Sequence, residues 1–189
     1  MRVDAGGTLV NNTRVTELIV PTSFTTEFDA GFGFGIAGGY HVTPWLGVEF
    51  QTGYTLNGVK GFDAVLMQTP LMVNAVYECH HCGKFVPFIG AGVGGMTSFF
   101  SINSESVWTG TGYATIDGTG VDTVFAYQFF GGFHYEINDT MSVGFLYRFS
   151  GTEAPSWDVE DAYYGDTIGQ ISFDNLYTHS FSLVFNMKF

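Results

Sequence analysis

The sequence predicts an all-β fold, namely an eight-stranded, antiparallel, up-and-down transmembrane β-barrel in which residues 1–189 form a single domain. Three observations predict it. Apolar and polar residues alternate along eight stretches, the connections between these stretches are alternately long and short, and no run of about 18 apolar residues could cross a bilayer as a helix. Because 46% of the residues are hydrophobic and only 13% are charged, the apolar surface must lie in the alternating stretches.

The clearest alternation lies in the closing stretch, residues 176–189. Apolar or aromatic residues and one histidine occupy every second position from Tyr177 to Phe189, and mostly polar residues lie between them. A soluble protein seldom leaves such an apolar strand exposed to water. The pattern therefore favours a strand with one face toward lipid, although a half-buried strand of a soluble protein has the same period.

Seven earlier stretches show the same pattern, and they cover residues 1–10, 28–42, 45–56, 64–79, 85–96, 123–137 and 140–150. Large apolar side chains, with Phe28 the first in its stretch, are predicted to face outward, whereas Gly, Gln, Glu, Arg and His face the lumen. Dense glycine between residues 31 and 39 argues against a helix. A soluble eight-stranded barrel would have its apolar side chains inside, so the pattern favours the membrane barrel.

The connections have two lengths. The short turns are Thr43-Pro44, His80 to Gly83 and Asn138-Asp139. The long loops are residues 11–26, 57–63, 97–120 and 151–175, and we expect one short strand extension at Glu17 to Val20. This alternation predicts that the short turns and both termini share one end of the barrel. No signal peptide is visible at Met1, so we expect a mature form or an arbitrary start.

The formal net charge of −12 argues against nucleic acid as a partner, because binding phosphates requires clustered Lys and Arg. Most of the carboxylates lie in the predicted loops. Asp158, Glu160 and Asp161 could hold calcium, but they lack EF-hand spacing, which favours a solvated acidic surface. The same loops contain aromatic residues of the kind that contact protein partners, namely Trp108, Tyr113, Trp157, Tyr163 and Tyr164.

Charges of both signs occupy inward positions. Buried charges need partners, so the sequence predicts an ionic network centred on Arg148 and Arg2 with Glu49 and Asp4. Lys188 belongs to the same inward set. Because an eight-stranded barrel has room only for side chains, the network predicts a closed polar lumen, and a proton or ion path is the alternative.

Cys79 and Cys82 flank His80 and His81 at a predicted short turn. In an oxidising compartment this spacing favours a disulfide that closes the hairpin. Free thiols and a metal site made of these four residues are the alternatives, since thiolate and imidazole bind zinc. A thiol oxidoreductase is not expected, because no βαβ pattern surrounds the cysteines.

Several blocks of sequence resemble the outer-membrane β-barrel domain family of OmpA-like and opacity-type proteins. They are Pro70 to Tyr77, residues 86–95, Ala126 to Gln128 with Gly131-Gly132, Tyr147 to Phe149, and Phe189. The resemblance implies a Gram-negative outer membrane, with extracellular loops and periplasmic turns and termini. It implies outer-membrane lipid and the insertion machinery as partners, and an insertion signal formed by Phe181, Leu183, Phe185, Met187 and Phe189.

Members of this family serve as stabilisers, adhesins or surface antigens, so the resemblance implies a structural or surface-interaction role without cofactor or catalysis. The first alternative is a subunit of a larger complex or two-dimensional array, which contacts partners through its loops or neighbouring barrels. The second is a lipid-modifying enzyme that uses a His with a Ser, for which the candidates are His179 with Ser180 and His134. Adjacent residues on a strand point to opposite faces, so His179 and Ser180 are not expected to cooperate.

Overall fold

The computed structural model describes residues 1–17, 22–61, 63–79, 83–108, 113–160 and 167–188. Among these residues, no helix is long and apolar enough to cross a membrane. The strands are β1 (Arg2–Val10), β2 (Thr13–Glu17), β3 (Thr22–Thr26), β4 (Gly31–Thr43), β5 (Leu46–Gly58), β6 (Ala64–Glu78), β7 (Phe85–Trp108), β8 (Tyr113–Glu136), β9 (Met141–Thr152), β10 (Ser156–Glu160), β11 (Thr167–Phe173) and β12 (Tyr177–Met187).

Eight of these strands form a closed barrel in the order β1, β12, β9, β8, β7, β6, β5, β4, and β4 pairs again with β1. Every neighbouring pair is antiparallel. The seam joins the first and last strands from Arg2 opposite Asn186 to Val10 opposite Thr178. The predicted eight-stranded antiparallel barrel is therefore confirmed.

The two faces of the wall follow the alternation in the sequence. On β12, Phe181 is 45% and Leu183 75% exposed, whereas Thr178, Ser180 and Ser182 are buried in the lumen. Aromatic rings continue across the outer surface from Phe85 through Phe133 and Phe145 to Phe181, with centroids 4.9, 6.4 and 6.5 Å apart. An outward band of apolar side chains is the surface that a membrane barrel presents to lipid.

The hairpin of β7 and β8 is longer than predicted. Residues 97–120 are expected to form a loop, but both strands have 24 residues and pair as far as Trp108 opposite Tyr113. One irregularity interrupts the pairing, between Ile102 and Glu105. Pairing satisfies the backbone N–H and C=O groups whatever the side chains, so a Ser- and Thr-rich segment can extend the hairpin.

Two other predicted loops form a second, four-stranded sheet in the order β10, β11, β2, β3, which we call the cap. The antiparallel pairing of β11 with β2 joins segments that are distant in the sequence. Phe173 lies opposite Val15, and Ile171 lies opposite Glu17. The predicted extension at Glu17 to Val20 overlaps a described strand only at Glu17, and the rest of it stays a prediction. The first cap strand begins at Thr13 and ends at Glu17, and residues 18–20 lie outside the described residues.

The cap packs on the barrel through a buried apolar cluster, which we call the cap cluster. Its members are Val10, Val15, Phe28, Val59, Ala64, Leu66, Phe100, Trp157, Phe173 and Leu176. The ring of Trp157 stacks on Phe100 at 5.4 Å and meets Phe173 edge-on at 5.0 Å. The prediction that Phe28 faces outward is wrong, because Phe28 precedes β4, bridges to Val59 and turns beneath the cap.

Candidate functional site

The two ends of the barrel differ. The turn end carries the connections β4–β5, β6–β7 and β8–β9 together with Met1 and Lys188, and the cap end is the opposite one. The interior side chains between these ends form the candidate site, because they decide whether anything can pass through the barrel.

Two ion pairs lie inside the barrel toward the turn end. Arg148 donates through Nη2 to Asp4 Oδ1 at 3.0 Å and through Nη1 to Oδ2 at 3.3 Å. Arg2 Nη2 lies 2.9 Å from Glu49 Oε2. Asp4, Arg2 and Arg148 are buried, so each charge depends on its partner rather than on water. The contact of Arg148 with Asp4 is bidentate, which is the strong form of an arginine–carboxylate pair.

Arg2 also joins an apolar part of the interior. Its guanidinium carbon lies 5.1 Å from the centre of the Phe130 ring, a cation–π distance. The ring fits because Gly90 faces it, and a Cβ at Gly90 would overlap the ring. Phe130 belongs to an interior cluster that the prediction of a wholly polar inner face missed, formed by Val76, Phe88, Phe130, Leu146 and Val184.

Next along the lumen, three amide side chains meet across the barrel. Gln51 Oε1 accepts hydrogen bonds from Asn74 Nδ2 at 3.0 Å and Gln128 Nε2 at 2.8 Å, and Gln128 Nε2 lies 2.6 Å from Asn74 Oδ1. All three residues are buried. We call this group the amide triad. Since it joins β5, β6 and β8, it places a group of hydrogen-bonded atoms inside the lumen.

Contrary to the prediction, Lys188 lies outside the inner ion pairs. Its Nζ donates to Glu136 Oε1 at 2.7 Å, and the two side chains are 43% and 30% exposed. The reason is position, because Lys188 follows the last residue of β12 and its long side chain reaches water at the rim.

A cavity of about 400 Å³ opens at the turn end. Arg2, Glu49 and His134 line its inner part, and His41 and Glu78 line its mouth. At this mouth His41 Nε2 lies 3.3 Å from Glu78 Oε2. The cavity therefore resembles a vestibule that ends on the first ion pair.

The cysteine motif lies at the same end. Cys79 is half-buried and is bonded to no cysteine among the described residues, whereas His80, His81 and Cys82 lie outside them. The disulfide and the metal site stay predictions. Within the described ranges no three His, Cys, Asp or Glu side chains cluster as metal ligands. The side chains of Asp158 and Glu160 and all of Asp161, the proposed calcium ligands, lie outside what the structure describes.

The candidate catalytic residues lie apart. His179 faces outward, and its Nδ1 is 2.8 Å from Tyr147 Oη. Ser180 is buried on the lumen face, and His134 is buried with its ring 5.8 Å from that of Phe88. The two members of the His179-Ser180 pair therefore project to opposite sides of the wall.

The predicted insertion signal lies on the outward face of β12. Phe181 and Leu183 are exposed, Phe185 and Met187 are half-buried, and Phe189 lies outside the described residues. Nothing in this geometry tests recognition by an insertion machinery, so the signal stays a prediction.

A barrel of this topology with an apolar exterior and a filled lumen has the architecture of bacterial outer-membrane proteins. The sequence profile of the outer membrane protein beta-barrel domain matches residues 2–189. The chain belongs to this family. No curated protein matches its sequence.

Solved structures with a similar fold include a surface protein, an outer membrane protein and an outer membrane protease. Neisserial surface protein A is 15% identical, with a TM-score of 0.59 over 100% of this chain and 96% of that chain. OprG from Pseudomonas aeruginosa is 14% identical, with 0.60 over 97% and 94%. The outer membrane protease OmpT from Escherichia coli is 7% identical, with 0.53 over 99% and 96%. At these identities the likeness establishes the fold, and activity must be argued from this chain's own residues.

Proposed function

We propose that the chain is a closed barrel of the bacterial outer membrane with a structural or surface-interaction role and no catalytic activity. The observation that supports this proposal is the packing of side chains in and over the lumen. The ion pairs and the amide triad fill it from the turn end, and the cap cluster covers it at the cap end. A barrel packed in this way offers partners its outer surfaces and the vestibule at the turn end.

The amide triad supports the absence of a channel. Its three hydrogen bonds, between 2.6 and 3.0 Å, hold Gln51, Asn74 and Gln128 in contact across the interior. Opening a path would break these buried hydrogen bonds, each of which contributes about 0.5–1.5 kcal/mol to stability.

We further propose that the cap end faces the outside of the cell and the turn end the periplasm. Short connections at one end and long ones at the other support this orientation, which is typical of outer-membrane barrels. The cap then forms the surface available to adhesin-like or antigen-like contacts.

Conductance tests the closure. Folded protein in a planar lipid bilayer is expected to show no steady conductance steps, because no water-filled path crosses the amide triad. Bilayers without protein and bilayers with heat-unfolded protein set the background. Stable openings in the nanosiemens range would contradict the closed lumen.

Cysteine labelling on intact cells tests the orientation. In a Cys79→Ser, Cys82→Ser background, Lys60→Cys lies in the β5–β6 connection and Asp139→Cys in the β8–β9 turn. A membrane-impermeant maleimide is expected to label Lys60→Cys on intact cells and Asp139→Cys only after lysis. The reverse pattern would contradict the orientation.

Cross-linking in native membranes, followed by gentle detergent extraction, separates the proposed role from membership of an array. A self-contained barrel is expected to migrate as one species near 20.7 kDa plus detergent. A regular ladder of this chain would instead support the complex or two-dimensional array.

A further inference from the structure

An apolar groove of about 470 Å³ lies in the outer wall of the barrel, on the face formed by β5, β6, β7 and β8. At its centre Ala75 on β6 lies opposite Ala91 on β7, with Val48 of β5 beside Ala75 and Phe129 of β8 beside Ala91. Both alanines are exposed. Because two methyl side chains lie between two larger ones, they form the floor of a depression that we call the wall groove.

Larger outward side chains border the floor along the strands. Toward the turn end, Tyr77 lies opposite Ile89, and Ile89 is 65% exposed. Toward the cap end, the pair of Val73 with Val93 continues the groove, and beyond it Leu71 is 69% exposed. The floor therefore lies below the side chains that surround it.

The position of the wall groove along the barrel decides which part of the membrane it meets. Trp45 and Tyr77 pack together at the turn end, with ring centroids 5.8 Å apart, and both are exposed on the outer surface. Outward Trp and Tyr side chains mark the level of the lipid headgroups. Ala75 is two residues farther along β6, a distance of about 7 Å along a strand. The floor therefore faces the hydrocarbon of the leaflet at the turn end.

The shape of the wall groove favours a flexible chain over a second barrel. The wall of a barrel is convex, so a second copy would contact the ridges at Ile89, Leu71 and Phe129 before it reached the alanine floor. An acyl chain bends, and its methylene groups can follow the floor. Within hydrocarbon, close packing is the main attraction between apolar surfaces, and an unfilled recess loses those contacts.

We propose that the wall groove binds one acyl chain of a phospholipid from the leaflet at the turn end. The lining fits hydrocarbon, because its outward side chains are aliphatic or aromatic. The groove is also continuous with the apolar outer band of the barrel, which faces lipid. The choice of a phospholipid rests on the orientation proposed above, since phospholipids form the periplasmic leaflet of an outer membrane.

Native mass spectrometry of protein gently extracted from its native membranes tests the proposal. The unaltered chain is expected to retain one phospholipid. Val93→Trp fills the groove with an indole ring and is expected to lower the lipid-bound fraction about tenfold, because the acyl chain loses its contacts with the floor. Val143→Trp is the matched control, since Val143 is an outward valine on β9 with 42% exposure against 55% for Val93. This control is expected to retain the lipid.

Four outcomes of this experiment would overturn the proposal. The first two are the absence of retained lipid in the unaltered protein and equal retention in the two variants. The third is a dimer that Val93→Trp dissociates, which would make a second copy of the chain the occupant. The fourth is a retained molecule with the mass of a lipopolysaccharide, which would replace the phospholipid as the source of the acyl chain.

A measurement on the unaltered protein covers the case in which Val93→Trp does not fold. In phospholipid nanodiscs, the methyl groups of Ala75 and Ala91 are expected to show nuclear Overhauser contacts to acyl methylenes at least as strong as those of Val143. Weaker contacts at the floor would overturn the proposal, because an empty or covered groove keeps lipid away from the alanines. A retained phospholipid together with reversed cysteine labelling would contradict the proposed orientation and leave the occupied groove standing.

Discussion

The two ends of the barrel are closed by opposite physical means. Toward the turn end, charged and amide side chains meet inside the wall, as in the pairs of Arg148 with Asp4 and Arg2 with Glu49. At the cap end, a separate sheet covers the mouth with stacked apolar rings, among them Trp157 and Phe100. The first closure depends on directed pairing of individual atoms, whereas the second depends on the apolar area removed from water.

This difference shows how each closure would fail. Loss of one charged partner leaves the other charge buried, so the damage exceeds the value of the contact itself. Loss of one ring in the cap leaves a cavity whose cost depends on how far its neighbours relax. We therefore expect the loss of an interior contact to destabilise the whole barrel. We expect the loss of a cap contact to destabilise only the cap.

The largest effect is expected for Arg148→Ala. Asp4 would keep a buried charge without its two hydrogen bonds, which costs about 3–5 kcal/mol in the free energy of unfolding. Urea unfolding in lipid vesicles measures this loss. The double variant Arg148→Ala, Asp4→Ala is the control and is expected to recover part of the stability, because it leaves no unpaired charge. Equal losses in the single and double variants would contradict the proposed basis of the effect.

Trp157→Ala is expected to cost about 3 kcal/mol within the cap, since the ring packs on Phe100 and Phe173. Limited proteolysis should cut the cap strands while the barrel strands stay protected. Trp45→Ala is the matched control, because Trp45 is exposed at the turn end. If Trp157→Ala instead exposed the whole barrel to protease, the two closures would not be independent.

A smaller effect, about 2 kcal/mol, is expected for Gln128→Leu, which removes two donor contacts from the amide triad. A double-mutant cycle with Gln51→Leu isolates the interaction between the two side chains. The two changes are expected to be strongly non-additive in urea unfolding. Simple additivity would show that the triad does not act as a unit.

The smallest effect is expected at the two rims. Lys188→Ala breaks the pair with Glu136 at the turn end, and Lys60→Ala breaks the pair with Glu27 at the cap end. Both pairs are exposed to water, so each change should cost less than about 1 kcal/mol and disappear in 1 M salt. A loss above 2 kcal/mol for Lys188→Ala would show that this pair belongs to the buried network after all.

Alternation predicted the barrel because each wall strand has one face toward lipid and one toward the lumen. It could not predict the cap, because the pairing of β11 with β2 joins segments that lie more than 150 residues apart and carry no shared pattern. It also misassigned Phe28, which precedes β4 and packs in the cap cluster instead of following the alternation of that strand.

The alternation of side chains along each strand predicted which charged side chains face the lumen. It did not predict which of them form ion pairs with each other. Arg2 has Asp4 on its own strand, yet its ion pair is with Glu49 on β5, two strands away around the wall. The inward direction of Phe130 was not predicted. Phe129 and Phe130 are adjacent aromatic residues, so the sequence pattern does not show which of them faces the lumen. The amide triad depends on three strands meeting at one level, and a single chain's sequence carries no signal of that.

The separation of Asp4 from Arg148 along the chain bears on how the molecule assembles. The two residues are 144 positions apart, and β12 lies between their strands in the barrel. In a sheet that has not yet joined β1 to β12, Asp4 lies on one edge strand and Arg148 on the strand next to the other edge, so both charges lack their partner. Contacts of such long range slow folding, and partially closed intermediates carry an electrostatic penalty. Seam closure and charge pairing should therefore occur in one cooperative step, with few half-assembled molecules along the folding pathway.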